Sequence, residues 1–280
     1  AMPTNLACNV QRVKKLLLLP AAALVLSSCT VMDVVGPRAN GEIMALAKQA
    51  SADWVFGDPS REQWHEMRKK QSEELKNEAR RLCGLDAQGE TPASCDVGYG
   101  DTDLPATGNA SALLEHTVTA ADKVPSESVD LIVAQAIDAL TLSPVDLDPI
   151  TDIVADAADA QAARDMLARE NAAYYGLGLA LAYADGDLRE RVAVLRDASH
   201  ERTAALTRVL DATDGEALVP AAGYAFAEGY HEPANAEEAA QLITTMQSDL
   251  VKQWRYAAAH ADSATWRADA IRLAAHAQRV

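Results

Sequence analysis

Ala172, Gly176, Ala180 and Ala184 stand four apart in a stretch that shows no strand-like alternation. In a helix, residues at that spacing share one face, so the row is a flat strip on which a second helix can lie at short range. Composition extends the same constraint to the whole chain. Hydrophobic residues make up 49%, yet aromatics are only 5% and just two are Phe, so Ala, Leu and Val must fill the core. Side chains that small fill space only where helices approach closely. The expected fold class is all-α, with a C-terminal four-helix bundle preceded by an N-terminal helical region.

Periodicity and breakers place the elements. Ile43, Leu46, Ala47, Ala50 and Trp54 fall at helical spacing, and Gly57-Asp58-Pro59 stops that helix. A charged helix is expected from about Ser60 to Leu82, then a long loop from Gly84 to Gly108. Helices follow over about 110–123 and 127–142, with Pro125 between them. The last four are expected over about 150–184, 187–212, 234–261 and 263–279, with turns at Asp185-Gly186, Asp214-Gly215 and Ala261-Asp262-Ser263. Short connections, with a longer one between the second and third of these, point to a bundle. The expected division is 1–28, 29–148 and 149–280.

The first division rests on the leader. Arg12, Lys14 and Lys15 precede an apolar run from Leu16 to Leu26, which is shorter than the roughly 20 residues a helix needs to cross a bilayer. It reads as a signal peptide. Its end, Leu26-Ser27-Ser28-Cys29, resembles the bacterial lipobox, in which the cysteine receives diacylglycerol. Cys29 is thus the expected lipid attachment, placing the protein on the outer face of the cytoplasmic membrane in a periplasm-like envelope space. Each buried acyl CH2 contributes about 0.8 kcal/mol, so two or three chains anchor stably where one does not. Cys8 leaves with the leader. Cys83 and Cys95 remain as a pair in an oxidising compartment, where a disulfide is expected. Two thiols twelve apart, without a neighbouring His or second pair, do not make a zinc site.

The net charge is −16, which disfavours nucleic acid and anionic lipid headgroups, so a partner should offer a neutral or basic face. Between Asp96 and Ala160 thirteen acidic residues face one basic residue, Lys123. This acidic belt reads as a solvated face. The sharper alternative is calcium, held by Asp101 and Asp103 or by Asp146, Asp148 and Asp152, although no EF-hand spacing is present.

No cofactor is expected. There is no Gly-x-Ser-x-Gly, Cys-x-x-Cys-His or His-Glu-x-x-His, and Gly176-Leu177-Gly178 lacks both the preceding strand and the third small residue of a nucleotide loop. Glu62-x-x-His65 has ligand spacing but lies in a charged helix. His116, His231 and His260 carry no carboxylate partner on an apolar face. Trp54, Trp64, Trp254 and Trp266 read as core or interface anchors.

Glu170-Asn171-Ala172-Ala173-Tyr174-Tyr175-Gly176, Asp197-Ala198-Ser199-His200-Glu201-Arg202, Pro220 to Tyr224, Trp254 and Arg267 together resemble the ferritin-like domain family of unknown function found in actinobacterial lipoproteins, over about residues 164–280. That resemblance implies a ferritin-like bundle without naming a reaction. A di-metal oxidase on such a bundle needs a Glu from each of two helices and a Glu-x-x-His from each of the others. Glu170, sharing a face with Leu167, Tyr174, Leu177 and Leu181, fits one position, and Asp197-x-x-His200 could supply a second. His200, however, lies about 120° from the centre of its helix's apolar stripe and Asp197 nearly opposite. Lys252 follows Asp249, and Leu273 precedes His276, so half of the ligand set is missing. The favoured reading is a buried Glu170 paired with His200 or an arginine, with Glu170, Asp197 and His200 as the weak metal candidates.

The expectation is a non-enzymatic, lipid-anchored accessory protein docking on a membrane complex. The actinobacterial resemblance points to the cytochrome bcc-aa3 respiratory supercomplex, which carries lipoprotein accessory subunits. The alternatives are a ferritin-like metal-dependent oxidoreductase with a degenerate site, or a protein that binds an apolar envelope ligand between its helices.

Overall fold

A computed structural model describes residues 36–98, 103–210, 223–225 and 229–280. The leader and Cys29 lie outside the described residues. Eight helices and no strand are found among those described: α1 (Gly41–Phe56), α2 (Glu62–Cys83), α3 (Ala110–Ala121), α4 (Ser126–Leu140), α5 (Ala157–Leu181), α6 (Gly186–Val209), α7 (Ala236–Ala259) and α8 (Ala264–Arg279). The chain is all-α with a helical bundle at its C-terminal end. No described helix is long and apolar enough to cross a membrane.

Side-chain caps set most starts. Asn40 accepts from the amides of Glu42 and Ile43, Asn109 from Ser111, Asn235 from Glu238 and Ser263 from Trp266. The largest departure from the sequence expectation is at α5, which begins at Ala157 rather than near 150. Asp156 caps it, accepting from the amides of Ala158 and Asp159. The stretch before it is held elsewhere: the Val154 amide donates to the Val209 carbonyl, and Arg208 donates to the carbonyls of Leu147 and Ile150. Once those groups bond to the end of α6, they are unavailable for a helical turn of their own.

Paired contacts fix the helix directions in the bundle. Along α5 and α6, Glu170 meets Ser199 and Arg202 while Tyr174 meets Arg196, so the two are antiparallel. Along α5 and α7, Glu170 meets Trp254 and Gly176 faces Met246, again antiparallel. Along α6 and α8, Arg191 reaches Val280 and Arg202 reaches His276. Helix α8 folds back on α7 through a short turn. The order is therefore up, down, down, up. Helices α6 and α7 point the same way, which makes the connection 210–235 a crossover rather than a hairpin.

Residues 37–280 form one compact unit. Helices α3 and α4 pack on α8, α4 also packs on α7, α2 packs on α4 and α1 on α2. One apolar cluster runs through all of these, from Ile43, Trp64 and Leu75 to Ile132, Ile137, Trp254 and Trp266. A second, with Leu177, Val192, Leu195, Leu242 and Ile243, fills the far end of the bundle. Full burial of each such side chain contributes about 1.5–3 kcal/mol. Trp54 alone of the four tryptophans is half-buried, with the Lys69 ammonium 5.7 Å from its ring.

The small-residue row does its work locally. A Cβ on Gly176 would lie 2.6 Å from Met246 Sδ, so the glycine is where the flexible end of Met246 packs directly against α5. Ala180 and Ala184 are buried while Ala172 is half-buried.

Cys83 and Cys95 form a disulfide with a Cα–Cα distance of 6.2 Å. The far end of the same loop is tied by Asp53, which accepts from the Thr107 amide and hydroxyl, and by Gln49, which donates to the Pro105 carbonyl. The loop is thus fastened to α1 and α2 at both ends.

Candidate functional site

Glu170 lies near the middle of the 25-residue α5, and its side chain is fully buried. An isolated carboxylate there would be costly, so its surroundings must neutralise it. Arg202, equally buried on α6, donates from Nε to Oε1 at 2.6 Å and from Nη2 to Oε2 at 3.1 Å. Ser199, one turn away, donates to Oε2 at 2.7 Å. From α7 the Trp254 indole donates to Oε1 at 2.7 Å. Both oxygens therefore receive two donors each, and the guanidinium supplies the opposite charge through a bidentate fork.

The network continues into α8. Arg202 Nη1 stands 3.2 Å from His276 Nδ1, and His276 Nε2 is 2.9 Å from Glu201 Oε2. A guanidinium can only donate, so Nδ1 accepts and the ring proton sits on Nε2, directed at Glu201. Burial, and then the Arg202 charge, push His276 below the usual histidine range, with Glu201 and Glu170 opposing. The neutral tautomer is the one that fits. Four helices of the bundle thus meet in one chain of bonds from Glu201 through His276, Arg202 and Glu170 to Ser199 and Trp254.

Of the weak metal candidates, Asp197 and His200 are exposed on α6 and do not join Glu170. A bridging carboxylate needs free lone pairs and further anionic or imidazole ligands nearby. Glu170 instead has a cation and two neutral donors, and the imidazole closest to it is turned toward Arg202. The residues present do not fit a di-metal centre. The helical face expected for Glu170 also shifts: Leu167 and Leu177 are buried, but Tyr174 is 38% exposed, with the Arg196 guanidinium 4.1 Å from its ring centroid. Alanines at 163, 173 and 180 complete the buried stripe in its place.

Of the two partners expected for Glu170, His200 or an arginine, the structure supplies the arginine, as Arg202, while the sequence reading gives no role to Ser199 or His276. The signal was present in α6: Val192, Leu195, Ser199, Arg202, Leu206 and Val209 follow alternating steps of three and four, so two polar residues occupy core positions. His276 has Leu273 rather than a carboxylate three residues before it, and its partner Glu201 comes from another helix.

Among the described residues, three carboxylates converge at Asp156, Asp159 and Asp262, with ligand atoms within 4.8 Å of one another. Their bonds explain the cluster. Asp156 caps α5, and the buried Asp159 accepts the backbone amides of Asp262 and Ser263 at 2.8 Å each, fixing the turn between α7 and α8 to the start of α5. In the acidic belt, Asp103, Asp146, Asp148 and Asp152 are exposed, and Asp101 lies outside the described residues. Two belt residues are drawn into structure: Asp138 holds Arg255 and Gln278, and Asp122 holds Arg267. His116, His231 and His260 are exposed; Glu62 is exposed and His65 half-buried.

No curated protein and no solved structure matches the chain. Residues 162–280, from the first turns of α5 to the end of α8, match the model of a family described as a domain of unknown function (DUF4439), and this bundle is what the family's domain resembles here.

Proposed function

We propose that the chain is a lipid-anchored, non-enzymatic accessory protein, held by Cys29 at the outer face of the cytoplasmic membrane and docked there on a membrane complex. One observation carries the non-catalytic half of the reading. At the position where a ferritin-like centre would need an open carboxylate, Glu170 is closed by Arg202, Ser199 and Trp254. The single crossover between α6 and α7 supports a ferritin-like descent for the bundle, since that family uses one long connection between antiparallel pairs. On this reading an ion pair stands where a metal would otherwise be held.

The docking half rests on charge and address. Exposed carboxylates at Asp96, Asp103, Glu115, Glu127, Asp130, Asp146, Asp148 and Asp152 suit a partner with a basic face. The respiratory supercomplex is the candidate suggested by the lipoprotein resemblance. Purification through a C-terminal tag from membranes in mild detergent tests this, with Cys29→Ala to separate anchoring from protein contact. Stoichiometric oxidase or cytochrome subunits are expected. Recovery of the chain alone under gentle conditions overturns the docking reading.

A further inference from the structure

A cleft of about 230 Å³ opens between α5 and α7. Its floor is apolar because α5 presents Ala172, Ala173 and Gly176 there, opposite Met246 and Leu250 of α7, and side chains this small leave the space between the helices unfilled. Tyr224 and Tyr230 contribute to its wall. The Tyr224 ring packs 5.5 Å from Tyr175, and the Tyr230 hydroxyl donates to Asp249 Oδ2. Burial and the Asp249 carboxylate push Tyr230 up to about 12, so that proton stays in place. Asp249 is further engaged by Lys252 at 3.2 Å.

Two polar groups of the lining remain unspent. Arg169 and Gln253, at the end of the cleft next to Glu170 and Trp254, bond to no described residue, although Arg68, Arg202, Arg255 and Arg267 all sit in ion pairs. A cation at one end of an apolar trough, with the trough's own carboxylate, Asp249, already engaged by Tyr230 and Lys252, supplies the two halves of an amphiphile site. We propose that this cleft binds an amphipathic monocarboxylate, its head on Arg169 and Gln253 and its acyl body along Ala172, Ala173, Gly176, Met246 and Leu250. At about 230 Å³ the cleft lies just below the range of about 300–1,000 Å³ usual for small-molecule sites, which suits a single medium-length chain. The site is independent of the docking reading and of Glu170.

Calorimetric titration of the unit 37–280, which contains every residue of both apolar clusters, with sodium decanoate below its micellar range tests the assignment. One decanoate per chain is expected, with affinity rising about fourfold per methylene from hexanoate to decanoate. Arg169→Gln, at an exposed position, should weaken binding at least tenfold without moving the melting temperature. Decyltrimethylammonium should bind at least tenfold more weakly than decanoate. Ala172→Phe should abolish binding by filling the trough, and if that variant does not fold, the head-group comparison and Arg169→Gln carry the test. Absence of saturable binding, equal affinity for both head groups, or indifference to Arg169→Gln would overturn the proposal.

Discussion

Arg202 and Glu170 are each too buried to stand alone, so removing one should cost more than removing both. Arg202→Met is expected to destabilise the fold by about 3–5 kcal/mol in urea denaturation, because it strands a carboxylate. Adding Glu170→Leu should recover most of that loss, and a cost that simply adds would contradict the pairing. Two neighbouring groups give the core an opposed pH response. His276 has a depressed pKa in the fold, so the unfolded chain takes up its proton first and stability falls as pH drops below about 6.5. Burial, aided by Asp152 and opposed by Arg272, raises Asp269 to about 6, so the fold holds that proton longer and stability falls as pH rises from about 4 to 6. Asp269→Asn should therefore add about 1–2 kcal/mol at pH 7.5 and leave a plain loss below pH 6.5, while His276→Gln should flatten that loss. Denaturation curves at pH 5, 6 and 7.5 separate the two. What made this network hard to read in advance is that Ser199 and Arg202 look like interruptions in a stripe until the partner helices are known.

The elements themselves were largely legible, since the apolar residues of α1 recur at helical spacing and Gly57-Asp58-Pro59, Pro125 and Ala261-Asp262-Ser263 stand where helices stop or start. The exception, 150–156, has helical composition but gives its backbone bonds to the end of α6, a tertiary preference that no local pattern carries. At this scale the loop after α2 offers the clearest test. The disulfide closes a separation of twelve residues, and converting both cysteines to serine should cost about 3 kcal/mol in the chain-entropy account. Thr107→Val removes one of the loop's bonds to Asp53 while sparing the buried Asp53–Arg68 pair, so it should leave the disulfide end intact and loosen the other, seen as faster exchange of the backbone amide at position 107. Unchanged protection of that amide would show that the Thr107 hydroxyl does not help hold the loop.

Across the whole molecule, the fold class followed from small side chains and helical spacing, but helix directions did not, because a long connection can close either a hairpin or a crossover. The pairing of Glu170 with Arg202 and Trp254, taken with Tyr174–Arg196 and Gly176–Met246 further along the same helices, resolves the choice. It also places an ion pair at the bundle centre, and the non-catalytic reading depends on that pair being the native state of the site. The most direct test is the metal content of the purified chain after reconstitution with iron and, separately, manganese. The account predicts well under one metal per chain and no rise in melting temperature. One or two equivalents, lost on Glu170→Gln, would mean that Arg202 gives way to metal and that the bundle is a working centre.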